Sequence, residues 1–179
     1  MNTITPKEKD KQYIFKVTAL VENYVGYSKK KGHHIVKSKE KPSRKISILG
    51  RQNLYKFAEG IIYSFEFYFD HCFGFYSNVD SDFYHDSKVQ YELFADLDDV
   101  EPTEAGSVRK TKIEKVWEKQ GDKMTFLFDY GDGWRFLIEL LEIKHADRKI
   151  SYPTTLEENG LAPQQYPPEE FFTAFYNEK

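Results

Sequence analysis

Lys123-Met-Thr-Phe-Leu-Phe-Asp-Tyr-Gly-Asp-Gly-Trp-Arg-Phe-Leu-Ile-Glu-Leu-Leu-Glu-Ile143 decides how the rest of the chain is read. Two apolar runs flank Gly131-Asp132-Gly133, the pattern of two antiparallel strands joined by a tight turn. A three-residue loop with a glycine in the left-handed region sets Tyr130 opposite Trp134, Phe128 opposite Phe136, Phe126 opposite Ile138 and Met124 opposite Leu140. One face is then apolar throughout, with Phe126, Phe128, Tyr130, Trp134, Phe136, Ile138 and Leu140 as the floor of a core. The other face sets Asp129 against Arg135, a favourable cross-strand pair. A two-residue turn would put Phe126 opposite Glu139 and break the apolar face. Asp129, Gly131, Asp132, Gly133, Trp134 and Arg135 are thus read as the residues that shape the hairpin.

Working outward, the 179 residues make one domain of ordinary size, large enough for a substantial core. Aromatic residues are 17% of the chain, so rings dominate that core. The formal net charge of −3 gives no overall bias toward polyanions. Cys72, the single cysteine, excludes an intramolecular disulfide and a multi-cysteine zinc site. Lys7, Lys9, Asp10 and Lys11 stand where a signal peptide would need apolar residues, and no apolar run approaches membrane-spanning length. The expectation is a soluble cytoplasmic protein with no membrane partner and no cofactor.

Residues 1–11 are polar and read as a flexible N-terminus, with one α+β domain over 12–179. Its first strand covers Gln12 to Val21, where Tyr13, Phe15, Val17 and Ala19 alternate. A basic loop spans about 22–45, with Lys29, Lys30, Lys31, Lys37, Lys39 and Lys41, and Arg44 and Lys45 at its end. Leu54, Phe57, Ala58, Ile61, Ile62 and Phe65 have helical spacing behind Asn53, a good N-cap. An acidic loop spans about 78–104, with Tyr91 and Leu93 marking a short strand inside it. Thr111-Lys112-Ile113-Glu114 reads as a capping box opening a short helix that Gly121 ends. Pro168, Phe171, Phe172 and Phe175 read as a final amphipathic helix.

Four residues invite a catalytic reading: Asp70, His71, Asp129 and Asp132. A histidine beside a carboxylate can act as a general base or a ligand, and neighbouring carboxylates can hold a hard cation. The plainer alternatives are a histidine hydrogen-bonded at the edge of an aromatic core, a cross-strand partner and a turn residue. Asp96-x-Asp98-Asp99-x-Glu101 lacks the glycine and the distant glutamate of a calcium loop, so a solvated face is expected and no metal ligands are assigned. His33-His34 point apart on a strand, with no third ligand evident. Among the basic residues, Lys29, Lys30, Lys31, Lys37, Arg44 and Lys45 could neutralise phosphates without reading sequence; the alternative is a solvated hairpin tip that keeps a strand edge from pairing.

Phe128-Asp-Tyr-Gly-Asp-Gly-Trp134 resembles the Tyr-x-Phe/Tyr-Asp-Phe-Gly-Asp-x-Trp signature of the plasmid pRiA4b ORF-3-like family. Arg44 to Ile48, Asp70-His71 with Phe75, and Pro153-x-x-Leu156-x-x-x-Gly160-x-x-Pro163 resemble further stretches of it. The resemblance implies an α+β domain of unassigned activity, with relatives in plasmids, genomes and as passengers of insertion sequences. Where family members often continue with cysteine and paired glycines, this chain has Gln164-Gln165-Tyr166-Pro167-Pro168, so a metal role carried by those cysteines is lost.

The fold expected is a mainly antiparallel sheet around the central hairpin, with a few packed helices. The function expected is a non-enzymatic binding module for nucleic acid or a protein partner, because no phosphate-cradling glycine loop, nucleophile elbow or paired-histidine metal motif is present. The competing expectation is a metal-assisted hydrolase, which requires Asp70, His71, Asp129 and Asp132 to converge on one cleft.

Overall fold

Alternating apolar residues become strands wherever one face can be buried, and here they do so along most of the chain. The structure, a computed structural model, describes residues 3–37, 41–80, 82–101 and 103–171. In chain order the strands are β1 (Lys11–Ala19), β2 (Asn23–Ser28), β3 (Gly32–Lys37) and β4 (Ser43–Leu49), then β5 (Phe73–Tyr76), β6 (Gln90–Glu92), β7 (Gly106–Ser107), β8 (Lys123–Phe128), β9 (Trp134–His145) and β10 (Thr154–Asn159). Helix α1 covers Leu54–Ser64 and a single turn, α2, covers Phe83–Asp86. Eight strands form one sheet in the order β10-β4-β1-β9-β8-β5-β6-β7, antiparallel except where β6 meets β7. β2 and β3 stand apart as a two-stranded ribbon.

Asn53 caps α1 as its side chain accepts from the Lys56 amide at 3.0 Å. The apolar face of α1 then lies on one side of the sheet. Phe57 meets Phe15 at 4.6 Å and Trp117 at 5.7 Å between ring centres, while Phe65 meets Phe136 at 5.0 Å. This ring-built cluster, fed by β1, β4, β5, β8 and β9, is the core.

The hairpin register differs from expectation by two residues. Phe128 faces Trp134, Phe126 faces Phe136 and Met124 faces Ile138. The cause is Asp129, which adopts a left-handed conformation (φ 58°) and accepts the Gly131 and Asp132 amides on Oδ1 at 2.9 and 3.3 Å. Gly133 (φ 69°) closes the loop by donating its amide to Asp129 O at 2.7 Å, making five residues, Asp129 to Gly133, the connection. A shift of two preserves face parity, so the aromatic floor survives. Tyr130 leaves it and joins Tyr76, Phe83 and Leu127 in a second cluster. Asp129 no longer faces Arg135, which sits opposite Leu127 with its guanidinium 4.4 Å from the Phe83 ring centre.

Three other expectations change. No capping box forms at Thr111: its carbonyl accepts the Leu54 amide, and only a 3-10 turn, Ile113–Lys115, follows. The N-terminal stretch is tied down at Ile4, which exchanges two 2.8 Å backbone bonds with Tyr152. In the acidic segment Glu92 turns inward, accepting from the Tyr76 hydroxyl at 2.6 Å and from Thr103 Oγ1 at 3.2 Å. The Tyr76 hydroxyl also lies 2.8 Å from that of Tyr130. Asp96 caps the next loop through Ser107 Oγ and the Arg109 amide. The expected C-terminal helix begins at Glu169–Phe171, and Phe172 and Phe175 lie outside the described residues.

Candidate functional site

Three of the four candidate catalytic residues come together because α1 ends at Phe65 and the chain runs back along the hairpin turn to begin β5. The Asp129 amide donates to Cys72 O at 3.0 Å and fixes the turn against Asp70 and His71. His71 then stands between two carboxylates, with Nδ1 2.8 Å from Asp70 Oδ1 and Nε2 3.4 Å from Asp129 Oδ2. Its ring lies edge-on to Phe128 at 6.0 Å. Asp132 adds negative charge nearby and lines an adjoining cleft of about 340 Å³ with Tyr24, Trp134, Tyr166 and Pro167.

Asp70 has two further partners that the sequence did not reveal. Gln165 Nε2 donates to Oδ1 at 3.1 Å and the Tyr166 hydroxyl to Oδ2 at 2.9 Å. These residues sit ninety-five and more positions downstream, in a stretch with no periodicity to announce its place. Gln165 also accepts the Tyr68 amide at 2.7 Å, so the cluster stitches three separated segments together.

The hydrogen bond to Asp70 raises the His71 pKa above its ordinary 6.5, against a smaller effect of burial, and the charges of Asp129, Asp70 and Asp132 raise it further. At Asp70 burial works upward, but bonds from His71, Tyr166 and Gln165 together hold the carboxyl below its usual 3.8. Burial and the Asp70 bond push the Tyr166 hydroxyl up to about 12. The two carboxylates therefore favour the protonated ring, Asp70 through a hydrogen bond and Asp129 through charge. With Nδ1 held by Asp70, Nε2 is the nitrogen left to exchange a proton, and it faces the Asp129 carboxylate. Burial raises the Cys72 thiol and keeps it protonated, so it is a poor nucleophile. Among the described residues no three histidine, cysteine, aspartate or glutamate side chains gather to hold a metal ion.

The linkage has a definite sign. A raised histidine pKa stabilises the fold below pH 6.5 and that contribution is lost as pH rises through the folded value; a lowered aspartate pKa stabilises above 3.8 and is lost as pH falls through its folded value. The contact is strongest between those limits. In thermal unfolding at about pH 5.5 and about pH 8, the wild type is expected to lose stability at the higher pH relative to His71→Gln. Parallel profiles for the two proteins would refute the ion pairing.

The candidate binding residues do not form one patch. Lys29, Lys30 and Lys31 are exposed at the tip of the β2–β3 ribbon, and Lys37 closes its base opposite Asn23. Lys45 pairs with Glu157 at 2.8 Å. Arg44 is only 2% exposed and is taken out of the set, because its guanidinium donates to the carbonyls of Ser64 (2.8 Å), Ser43 (3.0 Å), Asn159 (3.2 Å) and Gly160 (3.2 Å). The ribbon itself is docked on the C-terminal segment by the Gln164 amide bond to Val25 O, 2.7 Å, and the Tyr24 hydroxyl bond to Leu161 O, 3.0 Å.

A family model described as the plasmid pRiA4b ORF-3-like protein matches residues 34–171. The chain belongs to that family. The fold is similar to the crystal structure of a protein of unknown function from Methanosarcina mazei Go1, at 15% identity and a TM-score of 0.63, over 94% of this chain and 79% of that one. No curated protein matches. In this pRiA4b ORF-3-like domain the signature residues do local work: Asp129 shapes the turn and meets His71, while Asp132 and Trp134 line the cleft. No helix among the described residues is long and apolar enough to cross a membrane.

Proposed function

We propose that this pRiA4b ORF-3-like domain is a non-enzymatic binding module that contacts nucleic acid through the β2–β3 ribbon. The observation that carries the reading is the ribbon tip. Lys29, Lys30 and Lys31 are exposed there in succession, and none forms an ion pair among the described residues. Beside them, Tyr27 is 51% exposed and its ring lies 5.1 Å from that of His33 across the ladder. Clustered lysines attract phosphates, and an exposed ring next to them offers a stacking surface to an unpaired base. An interaction of this kind suits a family described by a plasmid open reading frame.

The hydrolase reading has less support. Asp70, His71 and Asp129 meet, with Asp132 near them on the adjoining cleft, yet they bring together no metal-ligand set among the described residues.

The test is a fluorescence-anisotropy titration with short single- and double-stranded DNA and RNA at low and physiological salt. The wild type is expected to bind with an affinity that falls as salt rises, and Lys29→Ala/Lys30→Ala/Lys31→Ala to bind at least about tenfold more weakly. Absence of binding at low salt, or equal binding by the variant, would rule the ribbon out.

A further inference from the structure

A second basic feature lies at the far end of β4 from the ribbon. A cleft of about 400 Å³ opens beside the start of α1, and Arg51, Lys56, Arg109, Lys110 and Lys112 all line it. No carboxylate among the described residues shares that wall. The five cations come from separate stretches, joined by backbone. The amides of Leu54 and Tyr55 donate to the carbonyls of Thr111 and Val108, both at 3.0 Å. Asn53 Nδ2 donates to Arg109 O at 2.8 Å, and the Ile113 amide to Gln52 O at 2.9 Å. These bonds use the first amides of α1, so an anion in the cleft would meet side chains and not the helix end.

Three of the cations are already oriented. Arg51 Nε donates to Asp10 Oδ2 at 2.9 Å, Lys56 Nζ to Glu59 Oε2 at 2.6 Å, and the Arg109 guanidinium stacks 4.2 Å from the Tyr55 ring centre. Lys110 and Lys112 are exposed, and neither forms an ion pair among the described residues. Asp10 and Glu59 balance two of the five charges, and a multivalent anion would offset the excess carried by Arg109, Lys110 and Lys112. Guanidinium forks and lysine point charges are the side chains suited to phosphate oxygens.

We propose that this cleft binds a compact oligophosphate, the group carried by a nucleoside di- or triphosphate or occurring free as pyrophosphate. A phosphodiester strand fits less well. The cations converge on one concavity instead of following a track, and among the described residues no aromatic side chain lines the wall to stack a base. The site shares no residue with the ribbon, so it stands whether or not the ribbon binds nucleic acid.

The experiment is calorimetric titration of the full chain with inorganic pyrophosphate at low and physiological salt, repeated on Lys110→Ala/Lys112→Ala. Both lysines are exposed, so the variant is expected to keep its circular dichroism spectrum. Saturable binding that falls with salt, weakens at least about tenfold in this variant and survives in Lys29→Ala/Lys30→Ala/Lys31→Ala is the expected result. Amide shifts at Arg109, Lys110 and Lys112 on pyrophosphate addition locate it independently. Tripolyphosphate and ATP separate the sources: equal affinities assign free oligophosphate, and tighter ATP assigns a nucleotide. No pyrophosphate binding at low salt, or binding unchanged in Lys110→Ala/Lys112→Ala, overturns the proposal. So does oligonucleotide binding that this variant loses while pyrophosphate does not bind.

Discussion

Phe136→Ala is expected to destabilise the fold by about 3–5 kcal/mol, the range for removing a large aromatic side chain from a packed interior. Phe136 is fully buried in β9 and its ring touches three others: Phe65 at 5.0 Å, Phe126 at 5.8 Å and Phe67 at 6.3 Å. Those rings belong to the helix end, the neighbouring strand and the segment leading to Asp70. Each is held by its own backbone element, so the surroundings relax only partly into the space left behind. Urea unfolding at equilibrium measures the loss as a lower midpoint at unchanged slope. Leu156→Ala is the control, because Leu156 is 42% exposed on β10 and its removal should cost under about 0.5 kcal/mol. A loss under about 1 kcal/mol at Phe136 would mean that the ring cluster does not organise the core.

Arg44→Ala is expected to cost about 3 kcal/mol, by a different route. Burial disfavours the charge on Arg44, and carbonyl oxygens from Ser64, Asn159 and Gly160 hold the guanidinium in place, with the Phe65 ring beneath it at 4.7 Å. Removing the side chain takes the guanidinium donor from the buried Ser64 carbonyl, unties it from Asn159 and Gly160, and opens a void under α1. Arg44→Lys is expected to recover little, because one ammonium cannot reach carbonyls on the helix end and on the β10 turn with the geometry of a planar fork. Hydrogen exchange gives the specific readout: amides of β10 and the last turn of α1 should exchange faster in Arg44→Ala while those of β8 do not. Uniform acceleration would show that Arg44 acts on global stability and is no staple between these elements.

Arg44 also shows where sequence reading runs out. Beside Lys45 in a basic stretch, it reads as one more surface cation, yet strand alternation turns one of the pair inward and the other outward. Which faces the core is set by β4 lying between β1 and β10. Glu92 is a parallel case: one carboxylate among many in an acidic run, it is 4% exposed and bound to Tyr76. Composition cannot separate such residues from their solvated neighbours, because the difference lies in partners distant along the chain. Asp129 marks the same boundary within the hairpin itself. Alternation identified both strands and their buried face, whereas the register depended on a side chain folding back onto the amides of Gly131 and Asp132.

The α+β class, the central hairpin, the α1 cap at Asn53, the aromatic character of the core and the family were all determined by the sequence alone. They rest on periodicity, turn chemistry and a contiguous motif, which act over a few residues. The tertiary structure alone decided that His71 stands between Asp70 and Asp129, that Gln165 and Tyr166 complete that cluster, that Arg44 leaves the basic patch, and that five cations share one cleft. Each of these depends on where the sheet order and backbone bonds bring distant segments together, and no local pattern carries that information.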